Sequence, residues 1–351
     1  MRKIKVLVVD DSALIRQMFT QMLSNTPNIE VLNTACDPYD AREKIKRLNP
    51  DVITLDIEMP KMDGLSFLKK IMALRPMPVI MVSSLTQKGA DITLEALENG
   101  AFDTIAKPVE RQTPDNLALL ESELVAKVCA AADANVRAWR PDAASNIPTI
   151  PYRPHAAAPH LIAIGASTGG VEALRDLFMQ LPNNAPPIVI AQHMPERFTT
   201  SFAARLNDIS QLEVTEAVHN QRLQPGHAYI APGGRHLKVV RIGGDLLCRL
   251  DDGAPVSGHK PSVDVLFESV AMAVGANAVG VILTGMGKDG GVGLKMMHDK
   301  GAFTVGQDQA TCVVYGMPNV AKKLGAIQIE APLSAIAGTV LEYCERHRGA
   351  A

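Results

Sequence analysis

Three things are scarce in this 351-residue sequence, and each scarcity closes off a class of protein. Paired cysteines are missing: Cys36, Cys129, Cys248, Cys312 and Cys344 are scattered, form no C-x-x-C pair and leave an odd one over. A disulfide framework is therefore excluded, and a reducing cytosol is the expected setting. An excess of either charge is missing too. The formal net charge is −2, with 19 Lys and Arg against 20 Asp and Glu in residues 1–159 and 16 against 17 in residues 160–351. A nucleic-acid surface, a trap for acidic substrates or a DNA-binding output domain would need a basic excess. Long apolar runs are the third absence. The most apolar stretch, Val270 to Gly287, is broken by Gly275, Asn277, Gly280 and Thr284, which fits a buried helix end followed by a strand and not a membrane span. The N-terminus reaches Asp10 and Asp11 after a few apolar residues, too few for the core of a signal peptide, so a cytoplasmic protein is expected.

What is present is the composition of a soluble globular chain, 47% hydrophobic and 21% charged, with a length that allows about two domains. No short fixed period recurs, which sets aside a solenoid. Residues 141–159 carry Pro141, Pro148, Pro151, Pro154 and Pro159 among Ala, Asn and Thr, the pattern of a semi-extended linker. The expected division is a first domain over 1–125, a Pro/Ala-rich linker over 126–159 and a second domain over 160–351. Before the linker, apolar runs at Ile4 to Val9, Asp51 to Leu55, Pro78 to Val82 and Thr104 to Ala106 alternate with helical spacing such as Leu14, Ile15, Met18, Phe19, Met22 and Leu23. Such alternation predicts a doubly wound α/β domain on a parallel sheet. After the linker it resumes, with strands expected near Leu161 to Ile164, Ile188 to Ala191, Val279 to Leu283, Phe303 to Val305 and Ala326 to Ile329. Gly243-Gly244 between two apolar runs signals a hairpin. The second domain is thus expected to be a mostly parallel, Rossmann-like sheet with an antiparallel hairpin at its edge.

In the first half, Asp10 and Asp11 follow the first strand, Asp56 ends a later one, Ser83 ends the next and Lys107 ends the last, just before Pro108. Strand C-termini of a parallel sheet converge on one rim. Three carboxylates gathered there invite a hard cation such as Mg²⁺, with Asp11 and Asp56 as ligands. A metal, a lysine and a hydroxyl around one acid suit phosphorylation of Asp56. Taken singly, Asp11-Ser12 could be helix-capping residues, Asp56 a solvated turn acid and Lys107 a surface lysine. Together with Met59-Pro60 and Asp63-Gly64, the spacing closely resembles the receiver domain of two-component response regulators, with a flavodoxin-like fold. One departure is Thr104, where many receivers carry an aromatic residue or His three positions before the lysine.

In the second half, Ser167 stands where Leu161-Ile-Ala-Ile gives way to Gly165-Ala-Ser-Thr-Gly-Gly170 and then to helical spacing, a serine on a strand-to-helix crest that fits G-x-S-x-G. An N-cap serine or a phosphate cradle would look similar, although no Lys follows the glycines. A serine nucleophile needs an imidazole to take its proton and a carboxylate to hold that imidazole. His193 lies two residues after Ile188-Val-Ile-Ala191, and Asp289 lies in the glycine-rich loop after Val281-Ile-Leu283, both at the sheet edge that carries Ser167. The order Ser, His, Asp differs from the Ser, acid, His order of α/β-hydrolases, so the motif misleads about fold. His155, His160, His219, His227, His236, His259, His298 and His347 read as linker residues or as occupants of polar turns and helix faces.

Several blocks then coincide in order: Ile164-Gly-Ala-Ser-Thr-Gly-Gly170, Gln192-His-Met194, Ala231-Pro-Gly-Gly-Arg-His236, Lys260-Pro-Ser-Val-Asp-Val-Leu-Phe267, Gly285-Met-Gly-Lys-Asp-Gly290 and Cys312-Val-Val-Tyr-Gly-Met-Pro318. On these the chain resembles the chemotaxis response-regulator protein-glutamate methylesterases over nearly its whole length. The resemblance implies Ser167 as nucleophile, His193 as base, Asp289 as its partner and the Met286 N–H as oxyanion donor, with the Thr168 hydroxyl as an auxiliary group. It implies hydrolysis of glutamate methyl esters on chemoreceptor cytoplasmic segments with release of methanol, deamidation of receptor glutamines, no cofactor for the hydrolysis, and a monomer phosphorylated on Asp56 by a chemotaxis histidine kinase. By the same resemblance, the unphosphorylated receiver covers the catalytic cleft. A non-catalytic signalling adaptor or transcription regulator is the competing class, and a general serine esterase a third.

Overall fold

The computed structural model describes residues 2–84, 86–108, 113–134, 149–153 and 161–346, and the chain separates into two compact units at residues 143 and 144. In the first unit, β1 (Ile4–Val9), β2 (Ile29–Ala35), β3 (Val52–Asp56), β4 (Val79–Ser83) and β5 (Asp103–Ala106) alternate with α1 (Ala13–Ser24), α2 (Pro38–Leu48), α3 (Gly64–Leu74), α4 (Gln87–Glu98) and α5 (Pro114–Ala132). The sheet order is β2-β1-β3-β4-β5, all parallel, the flavodoxin-like order. Every residue of β3 and β4 is buried, which is why these strands read as unbroken apolar runs. On α1, Ile15, Phe19, Met22 and Leu23 form the buried stripe, and Ser12 caps the helix by accepting from Ile15 N. Each such side chain, fully buried, contributes about 1.5–3 kcal/mol.

Two boundaries differ from the sequence expectation. Helix α5 continues to Ala132, beyond residue 125, because Leu120, Leu124, Val128 and Ala131 keep one face buried through its last turns. The end of the expected linker is not extended away from the second unit. Ile150 N donates to Gln180 O (2.9 Å), Arg153 N to Glu345 (2.6 Å) and Asn184 Nδ2 to Tyr152 O (3.0 Å), with Tyr152 buried. The rest of the proline-rich segment, with His155, His160 and also His347, lies outside the described residues.

The second unit holds a seven-stranded sheet ordered β14-β13-β12-β6-β7-β9-β8. Its strands are β6 (Leu161–Ala166), β7 (Ile188–Gln192), β8 (Glu213–Glu216), β9 (His227–Ile230), β12 (Ala278–Ile282), β13 (Phe303–Gln307) and β14 (Ile329–Ala331). Every pairing in it is parallel. The hairpin forms at Gly243-Gly244 as expected, from β10 (His236–Ile242) and β11 (Asp245–Asp251), and makes a two-stranded sheet of its own. Helices α6 (Gly170–Phe178), α7 (Glu196–Ile209), α8 (Val263–Ala273), α9 (Gly291–Asp299), α10 (Met317–Lys323) and α11 (Leu333–Arg346) complete the unit. The chain leaves β6 toward β7 on one side and later returns to pair β12 on the other, so the topological switch point lies between β6 and β12. Open α/β sheets bind ligands at such a crevice. No described helix is long and apolar enough to cross a membrane.

Candidate active site and acidic pocket

The three residues singled out in the second half meet at that switch point. Ser167 leaves β6, His193 follows β7 and Asp289 precedes α9. The Ser167 Oγ lies 3.0 Å from His193 Nδ1, and His193 Nε2 lies 2.7 Å from Asp289 Oδ2. Both distances are hydrogen-bond lengths, close enough for His193 to take the serine proton while Asp289 holds the ring. An ionised Asp289 fixes the proton on Nε2, leaving the Nδ1 lone pair to accept the serine hydroxyl. The ring is thus used in the opposite sense to the chymotrypsin template, where Nε2 faces the serine. The capping alternative for Ser167 disappears, because α6 is capped by Gly169 in the left-handed region (φ 77°) with no side-chain bond.

Asp289 is 1% exposed and accepts five hydrogen bonds. His193 Nε2 and Val263 N (2.7 Å) donate to Oδ2; Ser262 Oγ (2.8 Å), Asp264 N (3.1 Å) and Gly290 N (3.1 Å) donate to Oδ1. Burial alone would push its carboxyl up, but His193 and the Val263 and Asp264 amides outweigh burial and hold it at about 2. Those amides are the first turn of α8, whose N-cap is Ser262. A helix N-terminus offers free N–H groups and favours an anion. Beside it, Asp264 is pushed up to about 6 by burial and by the Asp289 charge, although Gly293 N donates to it (2.8 Å).

Thr168 is buried and its carbonyl accepts from Thr284 Oγ1 (3.0 Å). Among the described residues the Met286 N–H has no acceptor, although its neighbour Gly285 N donates to Val314 O (3.1 Å). Gly285 is obligatory: a Cβ there would overlap Met317 Sδ and stand 2.8 Å from Ser167 Cβ.

Sequence reasoning passed over several neighbours. His259 stacks on His193 with ring centroids 3.6 Å apart and planes 7° from parallel. His236 is no polar-turn residue: it opens β10 at 2% exposure, Nε2 donating to Ala254 O (3.0 Å) and Nδ1 accepting Ser262 N (3.1 Å). The signal for Ser262 was available, a serine after Pro261 followed by the helical spacing of Val263, Leu266, Phe267 and Val270.

In the first unit the expected rim also assembles. Asp10, Asp11 and Asp56 bring carboxylate oxygens within 4.8 Å of one another. Asp56, 1% exposed, accepts Lys107 Nζ (2.7 Å) and Glu58 N (3.3 Å). Burial, with the charge of Asp10 added, raises its carboxyl to about 6 against the pull of Lys107. Asp10 is raised as well, by burial first, and its Oδ2 is buried without a hydrogen bond among the described residues. That oxygen has Lys107 Nζ at 3.6 Å as an ion-pair partner, and with no hydrogen bond and two more carboxylates beside it, it fits a hard cation. Ser83 Oγ lies instead against Thr93 Oγ1 (2.6 Å), on α4.

Comparison with known proteins places both units. Residues 162–340 match the CheB methylesterase family and residues 6–117 the response regulator receiver domain. The protein-glutamate methylesterase/protein-glutamine glutaminase 1 of Caulobacter vibrioides is 54% identical over 350 residues, 99% of this chain and all of that protein. The protein-glutamate methylesterase/protein-glutamine glutaminase of Salmonella typhimurium is 51% identical over 342 residues, 97% of each chain. The crystal structure of the Thermotoga maritima CheB methylesterase catalytic domain is 36% identical, with a TM-score of 0.52 over 53% of this chain and 98% of that one. With a triad-like constellation at the switch point of one unit and an acidic rim in the other, this chain belongs to the CheB methylesterase family and carries a receiver domain on the same polypeptide.

Proposed function

We propose that this chain is a phosphorylation-controlled hydrolase that cleaves the methyl esters of glutamate side chains on chemoreceptors and deamidates receptor glutamines. The observation that carries the reading is the hydrogen-bonded chain Ser167–His193–Asp289 in a member of this family. Ser167 Oγ attacks the ester carbonyl while His193 Nδ1 takes its proton, and the positive ring leans on Asp289 through Nε2–H. The carbonyl oxygen, now an oxyanion, takes the Met286 N–H, which is worth about 10²–10³ in rate for one such donor. Collapse breaks the C–O bond, and Nδ1–H protonates the departing methoxide to methanol. Water then attacks the acyl-enzyme, gives its proton to Nδ1, and releases the glutamate carboxyl and the free serine. A glutamine side chain follows the same path with ammonia leaving. The auxiliary role proposed for Thr168 is to orient the acyl group beside Ser167.

Control comes from the first unit. Asp56 accepts a phosphoryl group from a histidine kinase of the chemotaxis system, with Lys107 pairing its charge and Ser83 donating a hydroxyl once it turns from Thr93. Asp11 and Asp56, with Asp10, would hold Mg²⁺, which when bound neutralises charge at the carboxylate and the phosphoryl oxygens. The working form is a cytoplasmic monomer in which residues 1–125 form the receiver core, a linker within 126–159 begins after α5, and residues 160–351 carry the hydrolase. Methanol release from methylated receptor, with Ser167→Ala as comparison, tests this directly. A fall of about 10³-fold or more is expected; release at the parent rate would remove Ser167 as the nucleophile, no release above background by the parent would leave the chain a non-catalytic adaptor, and equal turnover of small esters would make it a general esterase.

A further inference from the structure

The β6–β7 ladder ends at the pair Ala166 and Gln192, and its last main-chain bond is His193 N to Ala166 O (3.2 Å). Beyond that point the two chains part, one into the serine crest and the other into the histidine loop. The Gln192 side chain, 3% exposed, spans the opening. Its Nε2 donates to Ser167 O (3.0 Å) and to His193 O (3.2 Å), so both amide hydrogens are used on the carbonyls of the two reacting residues. Its Oε1 is buried with no hydrogen-bond partner among the described residues. A buried polar oxygen left unpaired is costly and calls for an explanation, because an apolar residue of the same shape would fill the space without that penalty. The Gln192 oxygen presses on Gly170, where a Cβ would overlap it, and Gly170 N is the other donor to Ser167 O (2.7 Å). The amide is therefore confined in one orientation, nitrogen toward the carbonyls.

We propose that Gln192 is a positioning residue that sets the Ser167–His193 separation by gripping both main-chain carbonyls with one amide nitrogen. The proposal rests on the acyl-transfer reading of Ser167 and His193. Its content is that the side chain carries the strand ladder one step past the last main-chain pair, and that the serine-to-imidazole hydrogen bond inherits its length from that step. The resulting defect belongs to chemistry and not to substrate affinity, since Gln192 lies beneath the crest and not in the cleft.

The test uses full-length, phosphodonor-activated protein and two variants, Gln192→Met, which keeps the volume and removes both donors, and Gln192→Asn, which keeps the amide but is one methylene too short to reach both carbonyls. Thermal midpoints establish that each is folded. Two rates are read: steady-state methanol release, and labelling by a fluorophosphonate probe that reports serine nucleophilicity without receptor. Both kcat and labelling are expected to fall by about 10- to 100-fold together, with KM within twofold of the parent. Either folded variant retaining kcat and labelling within twofold overturns the proposal, as does a loss carried by KM. If one variant does not fold, the other decides. Labelling of the parent that Ser167→Ala does not remove would instead sink the nucleophile reading, which keeps the two failures distinct.

Discussion

Asp56 and Asp289 are the same residue type, each 1% exposed and each near the C-terminal edge of a parallel sheet, yet their carboxyls move in opposite directions. Asp56 rises to about 6, because burial and the neighbouring Asp10 charge outweigh one lysine and one amide. Asp289 falls to about 2, because five donors converge on two oxygens. Burial by itself therefore says nothing about the charge of an active-site acid; the donors and charges around it decide it. The two states suit two tasks. An acid with few donors and crowded anions gains by binding a cation, which would also offset the charge that the proposed phosphorylation adds. An acid saturated with donors remains a fixed counter-ion for an imidazolium.

The comparison can be broken most severely at Asp289. Asparagine there turns an NH₂ toward groups that already donate, so Asp289→Asn is expected to lower kcat for methanol release by about 10⁴-fold. Activity within tenfold of the parent would mean that the fixed charge is not used. At the other carboxyl, Asp56→Asn is expected to remove the whole phosphodonor-stimulated increment, measured as the ratio of methanol release with and without a small phosphodonor; a ratio unchanged from the parent breaks the assignment. The smallest effect sharpens the comparison within one unit, at Asp264, a buried acid with one main-chain donor beside the five-donor Asp289. Its folded carboxyl, at about 6, lies above the ordinary value of about 4. The folded state thus holds more protons between those values and loses stability as pH rises through them. Asp264→Asn is expected to raise the melting midpoint by about 2–4 °C at pH 7.5, with the gain shrinking toward pH 4. Asp289 has the opposite sign: its stabilisation is complete above the ordinary carboxylate range and fades as pH falls toward 2. A midpoint difference that grows on acidification would reverse the assignment at Asp264.

Much of this was legible in the residues. Strands buried on both faces announce themselves as apolar runs, and β1, β6 and β7 begin where the runs do. The acids of the rim and the Ser, His and Asp of the second unit are legible for the same reason: they interrupt those runs at strand ends. Strands β2 and β8 were missed, since Glu30, Asn33, Glu213 and Thr215 break the apolar pattern of half-buried strands, and β9 was missed because it is only four residues long and opens on His227. The supporting contacts were harder still. Three of the five donors to Asp289 are main-chain amides, which any residue type supplies, and Gln192 acts through a side chain turned inward from a strand end. The stack of His259 on His193 joins positions 66 residues apart through loops, where no periodicity records contact.

The close approach of Gly285 to Ser167 has a consequence for how forgiving this centre is. With no room for a Cβ between them, the crest that bears the hydroxyl and the loop that bears the Met286 N–H lie against one another, and any side chain at position 285 would force them apart. Under the proposed mechanism, the point of attack and the seat of the oxyanion behave as two marks on one ruler. An acyl group that reaches the serine at the wrong angle then points its oxygen away from that N–H, so selectivity for a glutamyl side chain is expressed as geometry of approach and not only as affinity.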